Sequence, residues 1–124
     1  MCAKRILFID DEEDIKILAR FCLESEAGWE MLAASNGLDG VASAETEQPD
    51  AILLDAMMPQ HDGLQTLKKL RANAKTKHIP TIFITAKAQA RDRSRFYAAG
   101  AKGVILKPFD SLTLASQISG FLGW

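Results

Sequence analysis

The sequence has little of what marks small proteins for metal, disulfide or membrane roles. It contains two cysteines, Cys2 and Cys22, and neither belongs to a Cys-x-x-Cys pair, which excludes thiolate metal sites and thioredoxin-type chemistry. Both are expected as reduced thiols, Cys22 as a small hydrophobe on the apolar face of a helix and Cys2 near the start of a strand. No apolar run approaches ~18 residues, so no transmembrane helix is expected. The short apolar stretch at the N-terminus runs straight into acids, which is not the pattern of a secretory signal and points to a cytoplasmic protein. Repeats, low-complexity segments and linkers rich in Pro, Gly or Ser are absent, and 124 residues leave room for one domain, 1–124. With 48% apolar and 25% charged residues the chain is globular rather than disordered.

What is present is an alternation of short apolar runs with helix-period stretches. Arg5–Ile9 is a continuous apolar run, which suits a strand buried on both faces. Ile15, Leu18, Ala19, Cys22 and Leu23 then follow helical spacing up to Gly28. Trp29–Ala33 reads as a second strand, and Leu38, Val41 and Ala42 begin a helix after Asn36-Gly37. Ala51–Leu54 is a third strand, Met57–Gly63 a loop, and Leu64, Leu67 and Leu70 mark a helix with Lys68, Lys69 and Arg71 facing out. Thr81–Ile84 follows Pro80 as a fourth strand. A helix over Arg91–Ala99 is closed by Gly100 as a left-handed cap, and Val104–Leu106 is a fifth strand. Leu114, Ile118, Phe121 and Leu122 form a last stripe. Five βα units imply an α/β fold, a doubly wound parallel sheet with helices on both faces. In such sheets ligands bind beyond the carboxyl ends of the strands.

The residues at those ends form a set. Asp10 and Asp11 follow the first strand, Asp55 the third, Thr85 the fourth, and Lys107 and Pro108 the fifth. Clustered carboxylates raise one another's pKa unless a cation neutralises them. Hard oxygen ligands without His or Cys nearby favour Mg²⁺, which shares its shell readily with phosphate. A lysine and a hydroxyl suit phosphoryl oxygens, and an aspartate there can be the nucleophile that receives the group.

In order and spacing, FIDDEEDI, LLDAMMPQHDG, FITAKA and AGAKGVILKPF resemble the receiver domain of two-component response regulators, from Lys4 to near the C-terminus. The resemblance implies a flavodoxin-like (βα)5 fold with strand order 2-1-3-4-5. It implies Asp55 as phosphoacceptor, with Mg²⁺ held by Asp10, Asp11, Asp55 and the backbone carbonyl of Met57. Thr85 would bond the phosphoryl group and move toward it, and Lys107 would ion-pair with it. The Lys107-Pro108 bond is expected to be cis, as is usual in the family. The donor would be a histidine kinase or a histidine phosphotransfer domain, meeting the flank of the first helix. With no effector segment after Trp124, output is expected through a target protein or a second copy. That partner would meet the face of the fourth helix, fifth strand and last helix, where Arg91, Arg93, Arg95 and Lys102 stand.

The chain departs from the family pattern at Val104, where many receivers carry an aromatic residue that rotates with the threonine. Valine has no ring to swing, so either Thr85 alone shifts the fourth helix, or phosphotransfer matters more than switching. Met57 and Lys87, each two residues beyond a site residue, are expected to hinder water and slow loss of the phosphoryl group. Glu12, Glu13 and Asp14 read as an acidic first helical turn favoured by the helix dipole, and His61 and His78 as loop residues.

The charge is lopsided. Residues 1–63 carry 14 acids and 4 bases, residues 64–124 carry 2 acids and 11 bases. Either the halves fold together with their opposite charges facing each other or solvent, or the first half forms an acidic cation site and the second offers a basic surface to an acidic or phosphorylated partner. Direct DNA binding is not expected, because no helix-turn-helix segment is found. Two other classes fit less well. A phosphatase using Asp55 as nucleophile would want an acid at position 57, where Met57 stands. An FMN binder would not place Asp10 and Asp11 against a phosphate.

Overall fold

In the computed structural model, residues 4–57, 63–86 and 89–124 are described. Cys2, Met58, His61, Asp62 and Lys87 lie outside them. The strands β1 (Arg5–Ile9), β2 (Glu30–Ala34), β3 (Ala51–Asp55), β4 (Thr81–Thr85) and β5 (Gly103–Leu106) form one parallel sheet in the order β2-β1-β3-β4-β5. The helices are α1 (Glu13–Phe21), α2 (Gly37–Glu47), α3 (Gly63–Ala72), α4 (Ala90–Ala98) and α5 (Leu114–Leu122). α1 continues through a wider π-type turn over Cys22–Glu26.

The continuous apolar runs are explained by burial on both sides. Successive strand side chains point to opposite faces. Leu7, Ile9, Ile52, Leu54 and Phe83 therefore pack under α2, α3 and α4 with Leu64, Leu67, Leu70 and Phe96. Ile6, Phe8, Leu53, Ile82 and Ile84 pack under α1 and α5 with Ala19, Leu23, Leu114 and Ile118. Each fully buried aliphatic or aromatic side chain contributes about 1.5–3 kcal/mol of transfer free energy, offset largely by chain entropy.

Several expectations shift. β2 starts at Glu30 rather than Trp29, β5 at Gly103, and α4 at Ala90. β3 and β4 each run one residue further, so Asp55 and Thr85 are strand residues held in the ladder, Asp55 opposite Ile84 and Thr85 opposite Leu106. Leu18 and Leu38, placed on helical stripes by spacing, are exposed instead. The reason at α2 is close approach: its buried positions are Gly37, Gly40 and Ala44, and a Cβ on Gly40 would run into the side chain of Ile9. Asn36 starts this helix, its side chain accepting from Asp39 N at 2.8 Å. Arg71 does not face out. It is half-buried and donates to Lys77 O at 2.6 Å and Gly100 O at 2.5 Å, tying the end of α3 to the turn after α4. Gly100 does adopt the left-handed conformation, φ 110°. His78 is exposed in the loop before β4, and no helix is long and apolar enough to cross a membrane among the described residues.

Candidate functional site

Four of the five strands deliver a polar group at or just past their carboxyl ends, and the sheet order places these four strands side by side. Asp10 follows β1 and is fully buried, with its N–H donating to Ala34 O at 3.0 Å. Asp55 ends β3 and is 2% exposed. Thr85 ends β4 and is fully buried. Lys107 follows β5, its N–H donating to Thr85 O at 2.8 Å, so the lysine is anchored to the strand that carries the hydroxyl. The Lys107-Pro108 peptide bond is cis.

The side chains meet across the gap. Lys107 Nζ lies 2.8 Å from Asp10 Oδ2, 3.1 Å from Glu12 Oε1 and 3.4 Å from Asp55 Oδ2. Asp10 Oδ1 accepts from Glu12 N at 2.9 Å, and Asp55 Oδ1 accepts from Met57 N at 3.1 Å. The contact of Lys107 with Asp10 Oδ2 is an ion pair without hydrogen-bond angles, so that buried oxygen keeps unused acceptor capacity. Burial pushes the Asp55 carboxyl up to about 6. Its hydrogen bond from Met57 N–H opposes this, Asp10 adds to it, and Lys107 opposes it. Burial works against the Lys107 charge, but Asp10, Glu12 and Asp55 outweigh it and raise its pKa above the usual lysine value.

Asp11 is exposed at the rim, and Met57 is exposed beside Asp55. Asp10, Asp11, Glu12 and Asp55 can each offer a carboxylate oxygen within 4.8 Å of the others, a donor set that fits a hard divalent cation. The backbone helps to make this arrangement possible. Gly63, the first residue of α3, donates to Ala56 O at 3.1 Å. A Cβ there would lie 2.5 Å from Asp55 O and 2.7 Å from Ala56 Cα. Glycine lets the helix start directly against the end of β3.

The structure thus brings Asp10, Asp55, Thr85 and Lys107 to one edge of the sheet, with Asp11 at the rim. Sequence spacing misses Glu12, which is not merely part of an acidic first turn. Its side chain reaches Lys107, 95 positions away. It also misses Lys16, a buried lysine whose ammonium bonds Ser35 Oγ at 2.8 Å and pairs with Glu13 at 2.9 Å. Glu13 and Lys16 are three apart on one helix, a local pairing signal, but none marks the contacts with Lys107 or Ser35. Val104 lies opposite Phe83 on β4 and packs at the edge of the core shared by Phe83 and Phe96, whose ring centroids are 4.5 Å apart. Arg91, Arg93, Arg95 and Lys102 are exposed on and after α4, with Tyr97 and Leu106 also exposed.

The family model for the response regulator receiver domain matches residues 6–119. PilH of Pseudomonas aeruginosa is 38% identical over 118 residues, which is 95% of this chain and 97% of PilH. The DNA-binding regulator RpaA of Synechocystis is 36% identical over 118 residues, and the chain spans only 48% of its length. The chemotaxis protein CheY4 of Vibrio cholerae has a similar structure, with a TM-score of 0.90, 27% identity, and coverage of 97% of this chain and 99% of that one. The chain belongs to the receiver-domain family of two-component response regulators. Such domains are signalling modules rather than enzymes in the usual sense.

Proposed function

We propose that residues 1–124 form one receiver domain that takes a phosphoryl group from a phosphohistidine onto Asp55. The observation that carries this is the convergence of Asp10, Asp55 and Lys107, all within 3.4 Å contacts, at the carboxyl edge of the sheet. Asp55 is the nucleophile: a carboxylate oxygen forms the new P–O bond as the P–N bond to the donor imidazole breaks, and the imidazole leaves with the electron pair. Burial keeps the carboxylate poorly solvated and positioned, which favours attack. Lys107 takes up negative charge on the phosphoryl oxygens, and the Thr85 hydroxyl donates to another. Asp10, Asp11, Asp55 and the Met57 carbonyl would hold Mg²⁺, which when bound supplies charge neutralisation for the transferred group.

The donor is a histidine kinase or a histidine phosphotransfer domain approaching along α1, in the cytoplasm. The target, or a second copy of the chain, meets the α4–β5–α5 face, where the exposed Arg91, Arg93, Arg95 and Lys102 favour an acidic surface. The domain does not contact DNA itself. With Val104 in place of a ring, the signal passes from Thr85 to α4 without an aromatic rotor. Met57, exposed beside Asp55, crowds the approach of water and slows dephosphorylation.

The test is intact-mass spectrometry after incubation with acetyl phosphate and Mg²⁺. One phosphoryl adduct is expected on the wild type, and none on Asp55→Asn or without Mg²⁺. Equal adducts on wild type and Asp55→Asn would refute the assignment.

A further inference from the structure

We infer that Glu12 is a positioning residue for Lys107: in the resting protein it draws the ammonium toward the rim and off Asp55, and so restrains phosphorylation. The inference rests on Asp55 being the acceptor. Lys107 Nζ is closer to Asp10 and Glu12, at 2.8 and 3.1 Å, than to Asp55 at 3.4 Å. The contact with Glu12 has hydrogen-bond geometry, whereas that with Asp10 Oδ2 does not. The lysine therefore has its directional bond with a residue outside the buried pair.

Two other roles for Glu12 explain less. Its side chain makes no cap hydrogen bond to α1, so it does not serve the helix start directionally. Its backbone N–H, by contrast, donates to Asp10 Oδ1 at 2.9 Å, so the residue that reaches Lys107 is also bound to the buried acid beside it. As a further cation ligand it would be surplus. One dication and the Lys107 ammonium already balance the charges of Asp10, Asp11 and Asp55, so charge balance does not require Glu12, although its carboxylate lies within reach of the same donor set. An exposed carboxylate at the rim can let go of the lysine at low cost, and the ammonium is then free to follow the phosphoryl oxygens.

The test uses Glu12→Asp, which keeps the charge but is one methylene too short, and Glu12→Ala. The Lys107 ammonium resonance is read by NMR without donor or Mg²⁺. Mg²⁺ affinity is read by calorimetry, and labelling by acetyl phosphate at saturating Mg²⁺ by mass spectrometry. Both variants should move the Lys107 resonance, and both should be labelled about threefold or more faster than wild type. The gain should vanish in a Lys107→Ala background, because it acts through the lysine. Glu12→Asp should keep Mg²⁺ affinity within about twofold. An unmoved resonance, or labelling at the wild-type rate in Glu12→Asp, overturns the inference. Loss of Mg²⁺ affinity with slower labelling in Glu12→Asp makes Glu12 a cation ligand instead. A wild type that takes no phosphoryl group, with the resonance still moved in the variants, overturns the acceptor role of Asp55 and the effect on phosphorylation, but keeps the hold on Lys107.

Discussion

At the end of the sheet where the strands begin, Arg5 reaches Glu47 with two bonds, to its backbone O at 2.6 Å and its carboxylate at 3.0 Å, and lies 3.7 Å from Glu30. Its own N–H donates to Asp50 at 2.8 Å. Trp29 and Trp124 meet edge to face with centroids 5.3 Å apart, and Lys4 Nζ sits 4.7 Å over the Trp124 ring. At the end where the strands finish, Asp10 and Asp55 are buried with one lysine between them. The first end has charges in water, each with a partner. The second has taken charge out of water without fully compensating it, and Asp55 holds its proton up to about 6 as a result. Charge at an exposed end contributes little to stability, whereas buried like charge costs stability and stores reactivity.

The sharpest way to break the comparison is Asp55→Asn. Phosphorylation should be lost entirely while the fold gains stability. Asp55 binds its proton more tightly folded than at its ordinary value of 3.8, so between about pH 4 and 6 the native state holds more protons than the unfolded one. Wild-type stability without metal should therefore fall as pH rises through that window, and the penalty is complete above about 6. Asp55→Asn should raise metal-free stability at pH 7 by about 1–3 kcal/mol in denaturant melts, and the gain should shrink toward pH 4. Adding Mg²⁺ should stabilise wild type far more than the variant, since only wild type keeps the full donor set.

Gly63→Ala comes next. Its methyl group would meet backbone atoms of Asp55 and Ala56, which cannot swing aside. A loss of about 1–3 kcal/mol is expected in chemical denaturation, with slower labelling of the proposed acceptor Asp55 because the end of β3 must shift. At the opposite end Trp124→Ala should cost about 1 kcal/mol through the lost ring and cation contacts, and leave the labelling rate unchanged. The smallest effect belongs to Arg5→Gln. Its partly exposed pairs should contribute under ~1 kcal/mol, and the difference from wild type should diminish at high salt. If Trp124→Ala or Arg5→Gln altered phosphorylation as strongly as Gly63→Ala, the two ends would not be independent.

Much of the architecture is written locally. Apolar runs bounded by Gly28, Pro49 and Pro80 locate the strands to within a residue or so, because strand burial and turn chemistry depend on neighbours in the chain. The strand-end residues follow directly, since a parallel sheet puts all its carboxyl ends on one edge. That is enough to bring Asp10, Asp55, Thr85 and Lys107 together in thought, and the family motifs bring their order. Helical spacing shows which side chains share a stripe, but not how closely two backbones approach, so Leu38 is outside where Gly40 meets Ile9. Nor does it tell a lysine-rich face from an arginine that turns back, as Arg71 does to Gly100.

What the amino-acid sequence determined by itself is therefore the fold, the edge at which the site forms and the residue types gathered there. Only the tertiary structure decided how Lys107 divides itself among Asp10, Glu12 and Asp55, and how far burial raises the Asp55 carboxyl. Periodicity and punctuation act over a few residues. Ion-pair partition and desolvation depend on tenths of an ångström between groups 45 to 97 positions apart in the chain, and those distances exist only once the sheet has closed.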